Sequence, residues 1–462
     1  MKRAILLALL LPSPVFAYNE AVHAFITRRA LPDASRVTPP SQADLDAFRE
    51  LFWRRASAHA GFLEKYPTAR SFTAWEFKEF LMLDPAARVH GLDPTPDDVP
   101  LTRGELLGRA SRWPDDDERN RHRYIRDPRT HEIVRPPDGS PMPYDPATLD
   151  FGSLTGTNSQ GHAHYGLVDG PLSDDPEVLK KEPWRFAVPP TAHAYGPEFV
   201  QLYTDLATLA AGSGLPSAGW LQAAFAGAAF HYIQDVCNQI HTVQVGIYEF
   251  FKSAFLQSRL RDVRTLGGLL GERRSMEQIG VRLITNHHLL SEDLFAKHLA
   301  EVPLQLDEPD SEIAAAPDLT KAIIDRSSRE AAEIYRLAWR FSAPTLRDGV
   351  SGHEFDGAKG DDPDAYVDKS PEARVAIDRF YAIEARGLRR AVTALREWQR
   401  RFPGPAHDPV PGLLVYHSKA AERRAAWRPA VAGKASVAWG YPIALMAVVA
   451  AAAMVVVRKR RA

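Results

Sequence analysis

The stretch HYIQDVCNQIH, residues 231–241, constrains this chain more than any other. His231 and Asp235 stand four residues apart, so on a helix they lie one above the other on a single face. An imidazole nitrogen and a carboxylate oxygen at that spacing can close on one small cation. His241 follows six residues after Asp235, where the helix is expected to end and a third ligand can turn back toward the same cleft. The preceding AAFAGAAF is small and apolar, as suits a helix packed tightly inside a bundle. Spacing alone does not separate a metal ligand from a satisfied core histidine, so the rest of the chain decides.

The 462 residues carry 45% hydrophobic and 25% charged side chains, ordinary values for a globular chain with a sizeable core. A net charge of −1 offers no general attraction to nucleic acid or anionic lipid, although a local basic groove is compatible with it. The single cysteine, Cys237, excludes an intrachain disulfide. The opening MKRAILLALLLPSPVFA, residues 1–17, reads as a secretory signal peptide cleaved after Ala17, which would leave Tyr18 as the mature amino terminus. Residues 437–457 hold 21 positions without a charge, long enough for a transmembrane helix, and Arg458, Lys459, Arg460 and Arg461 follow at once. Together these predict an exported protein anchored in the cell-envelope membrane, its body outside the cytoplasm and residues 458–462 as a basic cytoplasmic tail. A sorting signal removed after export is the alternative reading of that tail.

Helical periodicity dominates, and convincing alternating strands are few. The expected fold class is all-α, a multi-helix bundle with long loops. Helices are expected over residues 19–31, 41–64, 217–238, 275–300, 317–341 and 372–402. Thr102 and Glu105 form a capping-box pattern that opens a short helix toward Trp113, and Pro197 sits at a tolerated first-turn position of a helix over 198–212. Residues 85–100 and 125–150 are rich in Pro and Asp and read as long surface loops. The expected organisation is a principal domain over 18–345, an acidic linker and additional helix over 346–402, a stalk over 403–436 and the anchor over 437–457. No motif assigns a role to residues 346–435.

Ligand-competent residues recur at four other places. Tyr18 and His23 are five apart; RWPDDDER offers Asp115, Asp116 and Asp117; GHAHYG offers His162 and His164; and NHHLLSEDL sets His288 and Glu292 at a second helical i, i+4 spacing. His287 is one position off that face. In this order the chain resembles the zinc-dependent phospholipase C and fungal single-strand nuclease superfamily, over residues 18 to about 300. The resemblance implies three zinc ions in the cleft of a secreted all-helical enzyme. One would be held by Asp115, His164, His231 and Asp235, and a second by His241, His288 and Glu292. The third would use the amino group and carbonyl of Tyr18, His23, and Asp235 as a bridging carboxylate. Tyr18 stands where the family usually has Trp, a change the backbone ligands tolerate.

The activity so implied is phosphodiester hydrolysis, with Asp115 both a ligand and the catalytic group orienting the attacking water. Glu292 as last ligand and the terminal anchor lean toward a phospholipid substrate, whereas the step from Tyr18 to His23 and the segment SRWPD resemble the nucleases. Nucleic acid would be the partner under that alternative, with Arg119, Arg121, Arg123 and Tyr124 as candidate contacts. A third reading is a non-catalytic binding domain in which zinc is structural.

Overall fold

The structure, a computed structural model, describes residues 20–57, 102–112, 196–242, 247–258, 265–350, 352–357 and 360–401. Its helices in chain order are α1 (Glu20–Ala30), α2 (Gln42–Ser57), α3 (Arg103–Ala110), α4 (Gly196–Ala211), α5 (Ala218–Cys237) and the short α6 (Gln239–Thr242). There follow α7 (Tyr248–Gln257), α8 (Leu266–His298), α9 (Ser311–Ala315), α10 (Leu319–Phe341), α11 (Pro344–Arg347) and α12 (Pro371–Arg401). Among the described residues no strand occurs, only two isolated bridges, Arg36 with Thr102 and Ser342 with Val367. The described chain is all-α. No described helix is long and apolar enough to cross a membrane. The expected signal peptide (1–17), both long loops (85–100 and 125–150), the stalk (403–436), the anchor (437–457) and the basic tail lie outside the described residues.

Several helix starts follow their caps. The Asp318 carboxylate accepts from the Lys321 amide to open α10, and Asp310 accepts from Glu312 and Ile313 to open α9. Thr102 Oγ1 accepts from the Glu105 amide at 3.2 Å, one half of the capping box. The Glu105 carboxylate turns instead to Arg28 Nη2 at 2.7 Å, tying α3 to α1. Helix α8 begins at Leu266 rather than at 275, because Thr265 accepts from the Gly268 amide and the glycines behind it are carried inside the helix. The short helices α7, α9 and α11 were not expected from periodicity.

Helix α5 is the hub, and every residue from Ala223 to Cys237 is buried. A helix apolar on all sides belongs in the interior, and here α1, α3, α4, α10 and α12 pack around it. Small residues set the spacing to α3. A Cβ built on Gly227 would stand 2.4 Å from Ala110 Cβ and 2.8 Å from the Leu107 carbonyl oxygen. Helix α12 closes the bundle with Phe380, Leu388, Val392, Leu395 and Trp398 in the core. Trp398 meets Phe230 edge to face at 4.9 Å between ring centres and donates to Thr204 Oγ1 at 3.0 Å.

The acidic stretch expected as a linker runs along α8 wherever it is described. Arg282 reaches the Gly349 carbonyl (2.6 Å) and Glu354 Oε1 (3.0 Å). Fifteen residues further along the same helix, Lys297 Nζ lies 2.5 Å from Asp362 and 2.7 Å from Asp364, and His298 Nε2 lies 2.9 Å from Asp364 Oδ1. Gly357 lies against Asp293, where a Cβ would come within 1.8 Å of the carboxylate. The acidic residues therefore complement a basic helix end, which also favours cations through its dipole.

Replacing Gly227 with Ala should destabilise the protein by about 1–3 kcal/mol, since both helices must move to admit a methyl group. Gly280→Ala in α8 meets nothing within 4 Å and should be neutral or stabilising by up to about 1 kcal/mol. Urea denaturation of the two variants reads the contrast. A pH dependence follows from His298: burial lowers its pKa, but Asp364 and Glu301 outweigh that and raise it above the ordinary value. Its contribution is full below the unfolded pKa and fades as pH rises through the folded one. His298→Gln should therefore lower the melting temperature more at about pH 5.5 than at about pH 8.5.

Candidate metal centre

Two triads of ligand-competent side chains lie inside the bundle. His23 from α1 meets His231 and Asp235 from α5; His241 from α6 meets His288 and Glu292 from α8. Five of the six are 0% exposed and Glu292 is 5% exposed. Either triad could hold a metal ion.

In the first triad, the two oxygens of Asp235 face different imidazoles. His23 Nε2 lies 3.5 Å from Oδ1, and His231 Nε2 lies 3.2 Å from Oδ2. The rings are 4.3 Å apart between centres. Neighbouring hydrogen bonds set the tautomers. His231 Nδ1 is 3.0 Å from the Ser111 carbonyl oxygen, which only accepts, so the ring proton sits on Nδ1 and Nε2 keeps its lone pair. Gln234 donates through Nε2 to Thr27 Oγ1 at 2.7 Å, and its amide oxygen accepts from His23 Nδ1 at 2.6 Å. Both Nε2 lone pairs are thus turned on carboxylate oxygens, and a cation between them makes that arrangement favourable.

The second triad is tighter. His241 Nε2 is 2.6 Å from Glu292 Oε1, His288 Nε2 is 3.1 Å from the same oxygen, and the two nitrogens are 2.8 Å apart. Tyr335 of α10 stands behind His288, its hydroxyl 3.3 Å from Nδ1. Ligands held at about 2.0–2.2 Å around a tetrahedral first-row cation are separated by roughly 3.3 Å. The first triad brackets that spacing, and the second, at 2.6, 2.8 and 3.1 Å, needs to open by about 0.2–0.7 Å.

A break in the backbone carries the chain from one triad to the other. On a continuous helix Asp235 and His241 would lie about 240° apart around the axis. Instead α5 stops at Cys237 and Asn238 is extended, with φ −77° and ψ 125°. The Asn238 side chain accepts from the Ile240 amide at 3.1 Å and restarts the helix as α6. Thr242 Oγ1 contacts the Val236 and Asn238 carbonyl oxygens at 3.1 and 3.0 Å. This kinked linkage directs His241 to α8.

Of the nine ligands proposed from sequence, six lie in these triads: His241, His288 and Glu292 stand together as expected, whereas His23, expected at a third ion, shares one triad with His231 and Asp235, expected at the first; Tyr18, Asp115 and His164 lie outside the described residues. His287 faces elsewhere: Nδ1 lies 2.7 Å from the Leu283 carbonyl oxygen, Nε2 lies 2.9 Å from Ser342 Oγ, and the ring stacks on Trp339. Burial lowers its pKa to about 4, so it stays neutral in the core. Burial also pushes the Cys237 thiol well above its ordinary range. Sequence reasoning missed Thr27, Ser111, Gln234 and Tyr335. Only Thr27 left a signal, standing four residues after His23 on the same face of α1.

Comparison of the chain with protein-family models, with curated proteins and with solved structures found no match. The geometry makes its own prediction. Gln234→Leu removes the acceptor that orients His23 and should weaken Co²⁺ binding at the first triad about 10–100-fold. The His241 triad should keep its affinity, as read by isothermal titration.

Proposed function

We propose that this chain is a zinc-dependent phosphodiesterase, exported and tethered to the membrane, that hydrolyses phospholipids in the manner of a phospholipase C. The observation that supports it is the pairing of the two buried triads through residues 236–240, each with imidazole and carboxylate donors. Mixed nitrogen and oxygen donors suit zinc, and three protein ligands leave the His241 triad a position for substrate or water, as catalytic zinc sites require. Zinc bound there would lower the pKa of a water toward neutrality and offset charge gathering on the phosphoryl and leaving oxygens.

The residues of this chain have separate tasks in that reading. In the proposal Asp235, which turns one oxygen toward each of two histidines, bridges two ions. Ser111 and Gln234 hold both imidazoles in the ligating tautomer. In the proposal Asp115 and His164 complete the His231 site, Asp115 also orients water, and the Tyr18 amino group joins His23 at a third ion. Glu292 as last ligand and the apolar 437–457 favour lipid over nucleic acid as substrate.

The purified mature chain, beginning at Tyr18 and loaded with Zn²⁺, should release the phosphorylated head group from phosphatidylcholine vesicles. Asp235→Asn should lower that rate by at least about 100-fold, on the order of 3 kcal/mol. Cleavage of single-stranded DNA but not lipid would assign the chain to the nuclease reading. Bound zinc with neither activity would leave the metal a structural role.

A further inference from the structure

The four-residue helix α6 carries His241 but is too short to hold itself, since an isolated helix of that length is unstable in water. Its orientation comes from outside. Gln239, 0% exposed and two residues before His241, donates through Nε2 to Glu330 Oε2 of α10 at 3.0 Å and to the Ile383 carbonyl oxygen of α12 at 3.2 Å. Both amide hydrogens are thereby used, which fixes the side chain in one pose.

Glu330 is itself clamped from α12. Arg386 donates through both Nε and Nη2 to Oε1, at 3.0 and 2.7 Å, and Arg390 donates through Nη2 to Oε2 at 2.9 Å, charge-assisted bonds that cover both oxygens. Arg390 is 1% exposed, so its charge is committed inside the protein. Burial acts to raise the Glu330 carboxyl, but Arg390, Gln239 and Arg386 outweigh it and hold the group below its ordinary range, keeping it an anion. A buried pair of this kind adds little net stability compared with apolar packing, yet it specifies one arrangement. The arrangement specified here includes the turn that aims His241.

We infer that α12 is part of the metal-holding unit, with Glu330 and Arg390 acting as positioning residues for His241 through Gln239. The inference rests on the metal reading of the His241 triad. It gives residues 371–401, for which the sequence offered no role, a task beyond filling the core: they set the geometry of a ligand they do not touch.

Removing Arg390 outright takes a charge-paired side chain out of the core and risks unfolding, so the informative variant is Gln239→Leu, which breaks the link and leaves the clamp whole. Binding of Co²⁺ to the full chain, followed by its visible absorption, is measured in an Asp235→Asn background so that the signal comes from the His241 triad. Gln239→Leu should weaken that binding at least about 10-fold and change the absorption band. In a His241→Ala background, the first triad should bind Co²⁺ within about twofold of the same protein with Gln239 intact. Arg390→Lys, which keeps the charge, should fall between wild type and Gln239→Leu. A folded Gln239→Leu protein with unchanged Co²⁺ affinity and spectrum at the His241 triad overturns the inference. Absence of Co²⁺ binding in the otherwise unaltered chain overturns the metal reading itself and this inference with it.

Discussion

Placing imidazoles and carboxylates inside an apolar bundle is the constraint on which the rest of this structure depends. A polar group moved from water into a protein core without a partner costs roughly 1–3 kcal/mol, and an ionised carboxylate costs more. The bundle meets that cost in layers. Ser111 and Gln234 satisfy the outward nitrogens of the first triad, Thr27 accepts from Gln234 in turn, and Tyr335 stands behind the second. The inward atoms face one another in a way that favours positive charge at the centre. The small-residue packing of α5 against α3 serves the same end, because the Ser111 carbonyl reaches His231 only if the two helices come close.

Much of the fold was legible because it obeys local rules. The sixteen-residue run from Trp220 to Asp235 announces a buried helix by its small and aromatic residues, and α5 spans Ala218–Cys237 against an expected 217–238. Helix α10 begins at Leu319 against an expected 317. Where local rules conflict with packing, the reading failed. Gly267, Gly268 and Gly271 resemble a helix break, yet α8 runs through them from its Thr265 cap. Short helices such as α7 and α9 carry too few turns to show a period.

The candidate ligands divide along the same line. His231 with Asp235 and His288 with Glu292 are visible as i, i+4 pairs because one helix sets both positions. That His23 joins the first pair and His241 the second depends on tertiary packing, for which spacing carries no rule; the expected ligand order set His241 with His288 and Glu292, but gave His23 a separate ion that shares only Asp235. Of the groups behind them, Ser111 and Gln239 were invisible. Ser111 acts through its backbone, which no side-chain pattern encodes, and Gln239 reads as an ordinary polar residue until Glu330 and Ile383 are seen beside it.

The union of the first and last described helices has a consequence for the order of events in assembly. Arg396 of α12 reaches back to the Ala30 carbonyl oxygen of α1 across 366 residues of sequence, and to that of Leu306 across 90. Contacts so far apart along the chain form late, because a long loop must close before they return any energy. Helix α1 brings His23, and α12 braces the turn that brings His241. During synthesis the contacts of Arg396 can form only after every residue of both triads has emerged, so this closure of the bundle belongs to the last part of the chain to appear.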